Sequence, residues 1–253
     1  MSNKNPIHGF KKARWWQKKW FAETLSAVPA AAAAFVAAYK AKLDSGDEVF
    51  WILVFGGCWL TLSLIFKVIH AKYQDDKEKE ANSHDGLTAA LWVLHESVAR
   101  VAGLPEADFK KLRVTFHRVV PPLNDTDKIE QVVNYVGGER NGAGRFFPIR
   151  SGITGSAIRT NEVLFMDRES ENFNDYQREL IKEWHYTEKD AREATSDRFS
   201  AMAIPVKSRD GQKVLGVVYL DCDQKKFFAN PQVAEAVMNG CGGITRYIGE
   251  RYV

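Results

Sequence analysis

The sequence predicts an α+β domain, with helices flanking an antiparallel sheet, preceded by a two-helix transmembrane hairpin. Three observations support this prediction. Two apolar stretches of roughly 20 residues follow one another near the N-terminus. Two pairs of strand-like segments, each joined by a turn, occupy the remainder of the chain. Segments with apolar residues at helical spacing precede and follow those pairs.

The predicted hairpin spans residues 21–73 and contains apolar stretches from Phe21 to Tyr39 and from Val49 to Ile69. Lys and Arg residues are concentrated in residues 1–20 and after the second stretch, and cytoplasmic segments retain such charges. We therefore expect a basic cytoplasmic N-terminal segment, two cytoplasmic termini and residence in the inner membrane, with the lipid bilayer as a partner. A signal peptide cleaved near Ala30 to Ala34 is the competing interpretation of the first stretch.

Composition restricts the function classes. A net charge of +3 is too small to favour binding to a nucleic acid polymer. The three cysteines, Cys58, Cys222 and Cys241, are odd in number and widely spaced, so a disulfide framework is not expected. The histidines do not cluster with Cys or acidic residues at metal-ligand spacing, so we expect no metal and no cofactor.

Residues 74–84 form either a charged linker or a helical extension of the second span. The soluble domain, residues 85–253, begins with a helix whose apolar residues recur from Leu87 to Val101. An antiparallel hairpin is then predicted from Leu112 to Val120 and from Ile129 to Val136.

The second half of this domain begins with a short helix at Gly152 and a brief strand from Glu162 to Met166. A second hairpin follows, from Ser200 to Lys207 and from Lys213 to Cys222, and its turn contains Asp210-Gly211. A final helix covers Gln232 to Glu250. Within the strands, Gly216 indicates close approach of a neighbour or ligand, and Pro205 indicates an edge or bulge.

Two runs in this domain resemble the signatures of GAF domains, a family of small-molecule sensing modules. The first is Gly152-Ile153-Thr154-Gly155-Ser156-Ala157 followed by Arg159 to Asp167; the second is Ser200 to Val206 followed by Val214 to Leu220. The resemblance covers Asp85 to Val253. It implies a GAF-like fold with a ligand between the sheet and the segments that cover one of its faces.

Carried over by position, the resemblance places this cover at Arg168 to Arg198. Aromatic stacking and arginine pairing suit a planar anionic ligand, so a nucleotide is a candidate. The residues expected to bind it are Arg150, Asp167, Arg168, Asn172, Phe173, Tyr176, Trp184 and Tyr186. In the alternative interpretation, the aromatic residues of the cover are ordinary core. The Asn-Lys-Phe-Asp-Glu pattern of the cyclic-nucleotide-binding members is not found.

No catalytic residues are predicted, because no nucleophile is paired with a base. Cysteine is also missing from the cover, where free-methionine-sulfoxide reductases of this family place theirs, so we interpret the chain as a non-enzyme. The leading hypothesis is a homo-oligomeric, membrane-anchored sensor whose ligand alters the packing of its membrane helices, as a membrane-perturbing effector. The alternative is a passive anchored scaffold that binds a protein partner through a ligand-free domain.

Overall fold

The computed structural model describes residues 19–44, 47–120, 127–138 and 142–251. The chain divides into two compact units, one within residues 12–82 and the other containing residues 83–253. The predicted basic segment, residues 1–20, lies almost entirely outside the described residues. It stays a prediction.

The first unit contains helix α1, Lys19–Asp44, and the N-terminal part of helix α2, Asp47–Val101. Two contacts join the helices within this unit. A Cβ built on Gly57 would lie 3.5 Å from the ring of Phe35, so the glycine allows the ring to approach closely. The backbone N–H of Trp20 donates to Asp75 Oδ2 over 3.3 Å.

Among the described residues, one stretch is long and apolar enough to cross a bilayer, Val54–Asp75, with a mean hydropathy of 1.6. It overlaps the second predicted span. The structure therefore supports one candidate span and not the predicted pair. The first predicted span lies in α1, where many side chains are outside the described set; its alanines are weakly apolar and Glu23 interrupts it. The two-helix transmembrane hairpin stays a prediction.

The second unit is built on a six-stranded sheet in which every neighbouring pair is antiparallel. The strand order is β3-β2-β1-β6-β5-β4. This confirms the predicted α+β class with an antiparallel sheet and flanking helices. The strands are β1 Leu112–Val119, β2 Lys128–Gln131, β3 Phe146–Pro148, β4 Leu164–Asp167, β5 Ser200–Lys207 and β6 Val214–Cys222.

Helices cover both faces of this sheet. The C-terminal part of α2 and helix α6, Pro231–Arg251, pack on one face, which we call the apolar face. Helices α3, Gly152–Thr160, α4, Phe173–Trp184, and α5, Glu188–Arg192, pack on the other. Short 3₁₀ turns at Glu106–Lys111 and Phe227–Ala229 complete the unit.

Alternation along β1 explains the two faces. Leu112, Val114 and Phe116 belong to the apolar core beneath α2 and α6. Successive side chains of a strand point to opposite faces, so Arg113 and the residues that alternate with this core face α3 and α4. A Cβ on Gly216 of β6 would lie 2.3 Å from the carbonyl oxygen of His117, which confirms the predicted close approach.

Strand β3 and the position of Pro205 are two local features to compare with the sequence-based predictions. Strand β3 was not predicted, since three residues ending in Pro148 give too little alternation to recognise. Pro205 lies in an interior strand, but the pairing of β4 with β5 ends at Ala203. The backbone of β5 is therefore locally unpaired on that side at Pro205, which agrees with the predicted edge position.

A candidate ligand site on one face of the sheet

Buried polar residues line the sheet face that α3 and α4 cover. In β1 they are Arg113, Thr115 and His117, each at least nine-tenths buried. In the register with β6, Arg113 lies opposite Asp221 and Thr115 lies opposite Tyr219. We call this surface the polar face; with Gln131 of β2, its members are Arg113, Thr115, His117, Gln131, Tyr219 and Asp221.

Arg113 and Asp221 form a buried bidentate ion pair. Arg113 Nε donates to Asp221 Oδ1 over 2.7 Å and Arg113 Nη2 donates to Oδ2 over 2.6 Å, with both side chains at most 4% exposed. The guanidinium also lies 4.5 Å from the ring centroid of Tyr135. Although Asp221 stands next to the last residue of β6, it is buried and its carboxylate is paired.

His117 is held between two aromatic rings. Its ring stacks on Tyr219, with centroids 5.9 Å apart and an interplanar angle of 17°, and lies 5.4 Å from the ring centroid of Phe147. Burial, helped by the charge of Arg145, lowers the pKa of His117 to about 3. The imidazole is therefore neutral at pH 7. Neither of its ring nitrogens has a hydrogen-bond partner.

Gln131 lies directly opposite His117 in the register of β1 and β2. Its Nε2 donates to Val133 O over 3.0 Å and to Thr115 Oγ1 over 3.2 Å. Because the Val133 carbonyl can only accept, these bonds fix the orientation of the amide. Gln131 Oε1 is left buried and without a partner. An unpaired buried polar group costs about 1–3 kcal/mol, so His117 and Gln131 lower the stability of the fold at this place.

Phenol groups surround the paired carboxylate. Burial raises the pKa of Tyr219 well above its ordinary value, and the charge of Asp221 and the nearby phenols of Tyr135, Tyr186 and Tyr176 raise it further. Burial likewise raises the pKa of Tyr186 to about 12. These hydroxyls therefore stay protonated at neutral pH. Tyr219 is on an interior strand and is only half-buried.

The predicted cover, Arg168 to Arg198, is joined at its base by Arg168. This buried side chain donates to Ser170 O and Glu171 O at one end of the cover, over 2.6 and 2.7 Å, and to Ser196 O at the other end, over 2.6 Å. Its guanidinium also lies 4.6 Å from the ring centroid of Tyr176. Arg168 therefore holds the two ends of the cover together.

The structure places the predicted ligand residues in three settings. Tyr176 is buried in the α3–α4 core, and Phe173, Trp184 and Tyr186 are half-buried against that core. Asn172 caps α4 by accepting from Asn174 N over 2.9 Å, and Asp167 accepts from Lys226 N over 3.2 Å. Arg150 is exposed in the turn before α3. The ligand-binding role of these residues stays a prediction.

The polar face itself was not predicted. Arg113, Thr115 and His117 alternate with apolar residues in β1, which is the pattern of a strand with one solvated face. The available signal was that β6 repeats the pattern with Tyr219 and Asp221, and that charged residues of opposite sign stand on two long strands. Two such strands paired in the middle of a sheet bring those residues together.

The second unit has a GAF-like fold. The chain is similar to a type II free methionine-R-sulfoxide reductase from Thermoplasma acidophilum (16% identity over 68% of this chain and 96% of that chain, TM-score 0.46). It is also similar to the GAF domain of an Acinetobacter phosphoenolpyruvate-protein phosphotransferase (16% identity, 67% and 92%, TM-score 0.40) and to fRMsr of Staphylococcus aureus in complex with substrate (13% identity, 66% and 94%, TM-score 0.37). No family model and no curated protein matches the chain.

The prediction that the chain is not an enzyme is wrong. A reductase is among the similar structures, so a GAF-like fold is compatible with enzymatic activity. The two thiols of the second unit lie in the core of the apolar face, Cys222 at the end of β6 and Cys241 in α6. Burial raises the pKa of Cys222 to about 11 and that of Cys241 to about 12, so both are protonated at neutral pH.

Proposed function

We propose that the chain is a membrane-anchored sensor whose GAF-like unit binds a small molecule between the polar face and the helices α3 to α5. The polar face carries this proposal. Burying polar groups is unfavourable unless they are paired, and the opposite face of the same sheet shows that this chain can build an apolar core. Unpartnered atoms on His117 and Gln131 are therefore better explained by a ligand than by stability.

The ligand residues predicted from the sequence extend this site. Tyr176, Trp184 and Tyr186 supply aromatic surface from the cover, and Phe173 adds to it. Arg168 and Asn172 position the cover by hydrogen bonds to its backbone, and Asp167, directly before the cover, accepts from Lys226 N. Arg150 contributes from the exposed turn before α3. A nucleotide remains one candidate ligand.

Membrane anchoring is proposed through a two-helix hairpin in the inner membrane, with both termini and the GAF-like unit cytoplasmic. The candidate span Val54–Asp75 supports it. Large apolar side chains of α2 are also exposed, as expected of a surface that meets lipid or other copies of the chain. They include Trp51, Phe55, Trp59, Leu62, Phe66 and Ile69.

The proposed output is a change in the packing or oligomerisation of the membrane helices. The helix α2 includes residues of both units, so a ligand that alters its packing on the sheet also acts on a helix of the hairpin. As an effector, a homo-oligomer of the chain would then perturb the bilayer. Dye leakage from liposomes containing the full chain tests this: ligand-dependent leakage supports the effector, and ligand binding without leakage contradicts it.

A thermal-shift screen of the full chain in detergent tests ligand binding. Cyclic mono- and dinucleotides and common metabolites are the probes, and a ligand at a hundred times its dissociation constant stabilises by roughly 2.7 kcal/mol. The shift is expected to disappear in Trp184→Ala and to persist in Glu235→Gln, an exposed control on α6. A screen without any hit contradicts the sensor.

The scaffold is the second candidate, and one observation favours it. Ile153, Tyr176 and Leu180 pack as a continuous core against Ala201 and Ala203 of β5, so part of the space beneath the cover is filled by side chains. A partner protein that binds with equal affinity to the wild type and to Trp184→Ala supports the scaffold.

A further inference from the structure

We propose that the part of the ligand that meets the polar face is an uncharged, planar group with an amide-type edge, where an N–H donor adjoins a hydrogen-bond acceptor. This inference rests on the proposed sensor function and names the class of its ligand. It differs from the anionic ligand that the arginine content of the sequence suggests.

Three arginines around the site, Arg113, Arg168 and Arg198, already have partners. Two nitrogens of Arg113 bind the carboxylate of Asp221, and all three nitrogens of Arg168 bind backbone carbonyls. Arg198 Nη1 donates to Lys111 O over 2.6 Å, and its Nε lies 3.5 Å from Asp221 Oδ1. A phosphate or carboxylate on the ligand would have to compete with these bonds for its counter-charge, and would expose a buried partner in doing so.

The unpartnered polar atoms of the polar face itself, on His117 and Gln131, are neutral. Gln131 Oε1 can only accept, so the ligand must present a donor to it. His117 is uncharged and offers one N–H and one acceptor nitrogen, directly across the strand pair from Gln131. Gln131 Oε1 and one nitrogen of His117 are therefore acceptors, and the other nitrogen of His117 is a donor. A ligand edge that carries both donors and acceptors complements them, and amides and heterocycles have such edges. A carboxylate, which only accepts, fits it poorly.

A cationic ligand is disfavoured by the charges nearby. Arg145 is close enough to His117 to disfavour the protonated form of the imidazole, and the same field opposes a bound cation. The one acid of the polar face, Asp221, is paired with Arg113. The ring of Tyr135, which could receive a cation, already has the guanidinium of Arg113 at 4.5 Å.

Aromatic rings beside these atoms favour a planar ligand. The half-buried ring of Tyr219 and the ring of Phe147 lie next to His117, and flat polar groups stack on such rings while their edges make hydrogen bonds. The hydroxyl of Tyr219 stays protonated and can donate or accept a hydrogen bond.

Calorimetric titration of the full chain in detergent micelles tests the inference with two matched pairs of probes. Uracil is compared with orotate, which adds one carboxylate to the same ring, and nicotinamide is compared with nicotinate. We expect at least one neutral probe to bind at least tenfold more tightly than its anion. Uracil and nicotinamide distinguish a heterocyclic ring edge from an exocyclic amide.

Variants assign the binding to the polar face. His117→Phe keeps a planar ring but removes both nitrogens, and we expect it to lower the affinity for the neutral probe at least tenfold. Tyr219→Phe removes only the hydroxyl, and we expect it to lower that affinity several-fold. Gln232→Leu, an exposed substitution on α6, is the control and leaves the affinity unchanged. The unfolding midpoint of each variant, measured in parallel, shows that it is folded.

Three outcomes overturn the inference: equal or tighter binding of the anionic member of both pairs, an unchanged affinity in both His117→Phe and Tyr219→Phe, or no binding of any of the four probes. An anionic metabolite that stabilises the wild type and His117→Phe equally in the thermal-shift screen would overturn this inference while leaving the sensor function intact. A screen without any hit would remove the sensor function itself, so the two failures are distinguishable.

Discussion

His117 is a residue whose position costs stability. It is buried between two rings with both nitrogens unpartnered, and it remains neutral because burial opposes its protonation. Asp221 illustrates the opposite case, a buried charge whose desolvation is offset by a bidentate partner. Substituting either residue should change the free energy of unfolding.

Replacing His117 by Phe should stabilise the unliganded chain, by about 1 kcal/mol at pH 7.5, because it removes unpaired buried nitrogens. The advantage should grow at lower pH. The folded-state pKa of about 3 lies below the unfolded value of 6.5, so below pH 6.5 the unfolded state binds more protons and the wild type loses stability. Below about pH 6 the difference should increase by up to about 1.4 kcal/mol per pH unit. Urea unfolding at several pH values measures it, and a pH-independent difference contradicts the assignment.

Asp221→Asn should destabilise the chain strongly, by about 3–5 kcal/mol, because it leaves the charge of Arg113 buried and uncompensated. The double variant Arg113→Met with Asp221→Leu should recover part of that loss, since it removes the uncompensated charge of Arg113 but leaves Arg198, whose Nε lies 3.5 Å from Asp221 Oδ1 in the wild type. Denaturant unfolding of both variants checks the result. A variant in which both members of the exposed ion pair Arg192 and Glu188 are replaced by alanine is the control. Equal losses in the single and double variants would show that the ion pair is not the cause.

At the scale of elements, the strands with clear alternation or clear turns were predictable. Strands β5 and β6 were found within one residue of their bounds, because Asp210-Gly211 marks the turn between them. The polar face was not predictable in the same way. Arg113 and Asp221 are 108 residues apart, and only their pairing in the sheet shows that both are buried. A polar strand face looks the same in sequence whether it meets water, a ligand or another charge.

The cover is the element whose behaviour depends most on one side chain. Replacing Arg168 by Met should free the carbonyls of Ser170, Glu171 and Ser196 and loosen the cover while the sheet stays folded. A loss of about 2 kcal/mol in local stability would speed amide exchange in α4 and α5 roughly 30-fold. Hydrogen exchange followed by mass spectrometry measures this. Exchange that also accelerates in β1 and β6 would indicate global destabilisation instead.

At the scale of the whole molecule, the three thiols report on the two units separately. Cys58 is exposed in α2 of the first unit, whereas Cys222 and Cys241 are buried in the second. In detergent at pH 8, an uncharged maleimide that enters the micelle should therefore reach Cys58 of the native chain before the two core thiols, and all three thiols should react in denaturant. Cys58→Ser should abolish the fast reaction, as detected by mass spectrometry. Fast modification of Cys222 would show that the core of the apolar face opens readily.

The contrast between the two faces of the sheet also has a consequence for how the chain finds its strand pairing. Sliding β1 past β6 by one position would turn Arg113 and His117 into the aliphatic layer beneath α6 and bring Phe116 among the phenols. The guanidinium would then be buried without its carboxylate, at a cost of several kcal/mol. Misaligned pairings of these two long strands are therefore penalised by charge as well as by shape. The residues of the polar face therefore also favour the native register of these two strands during folding.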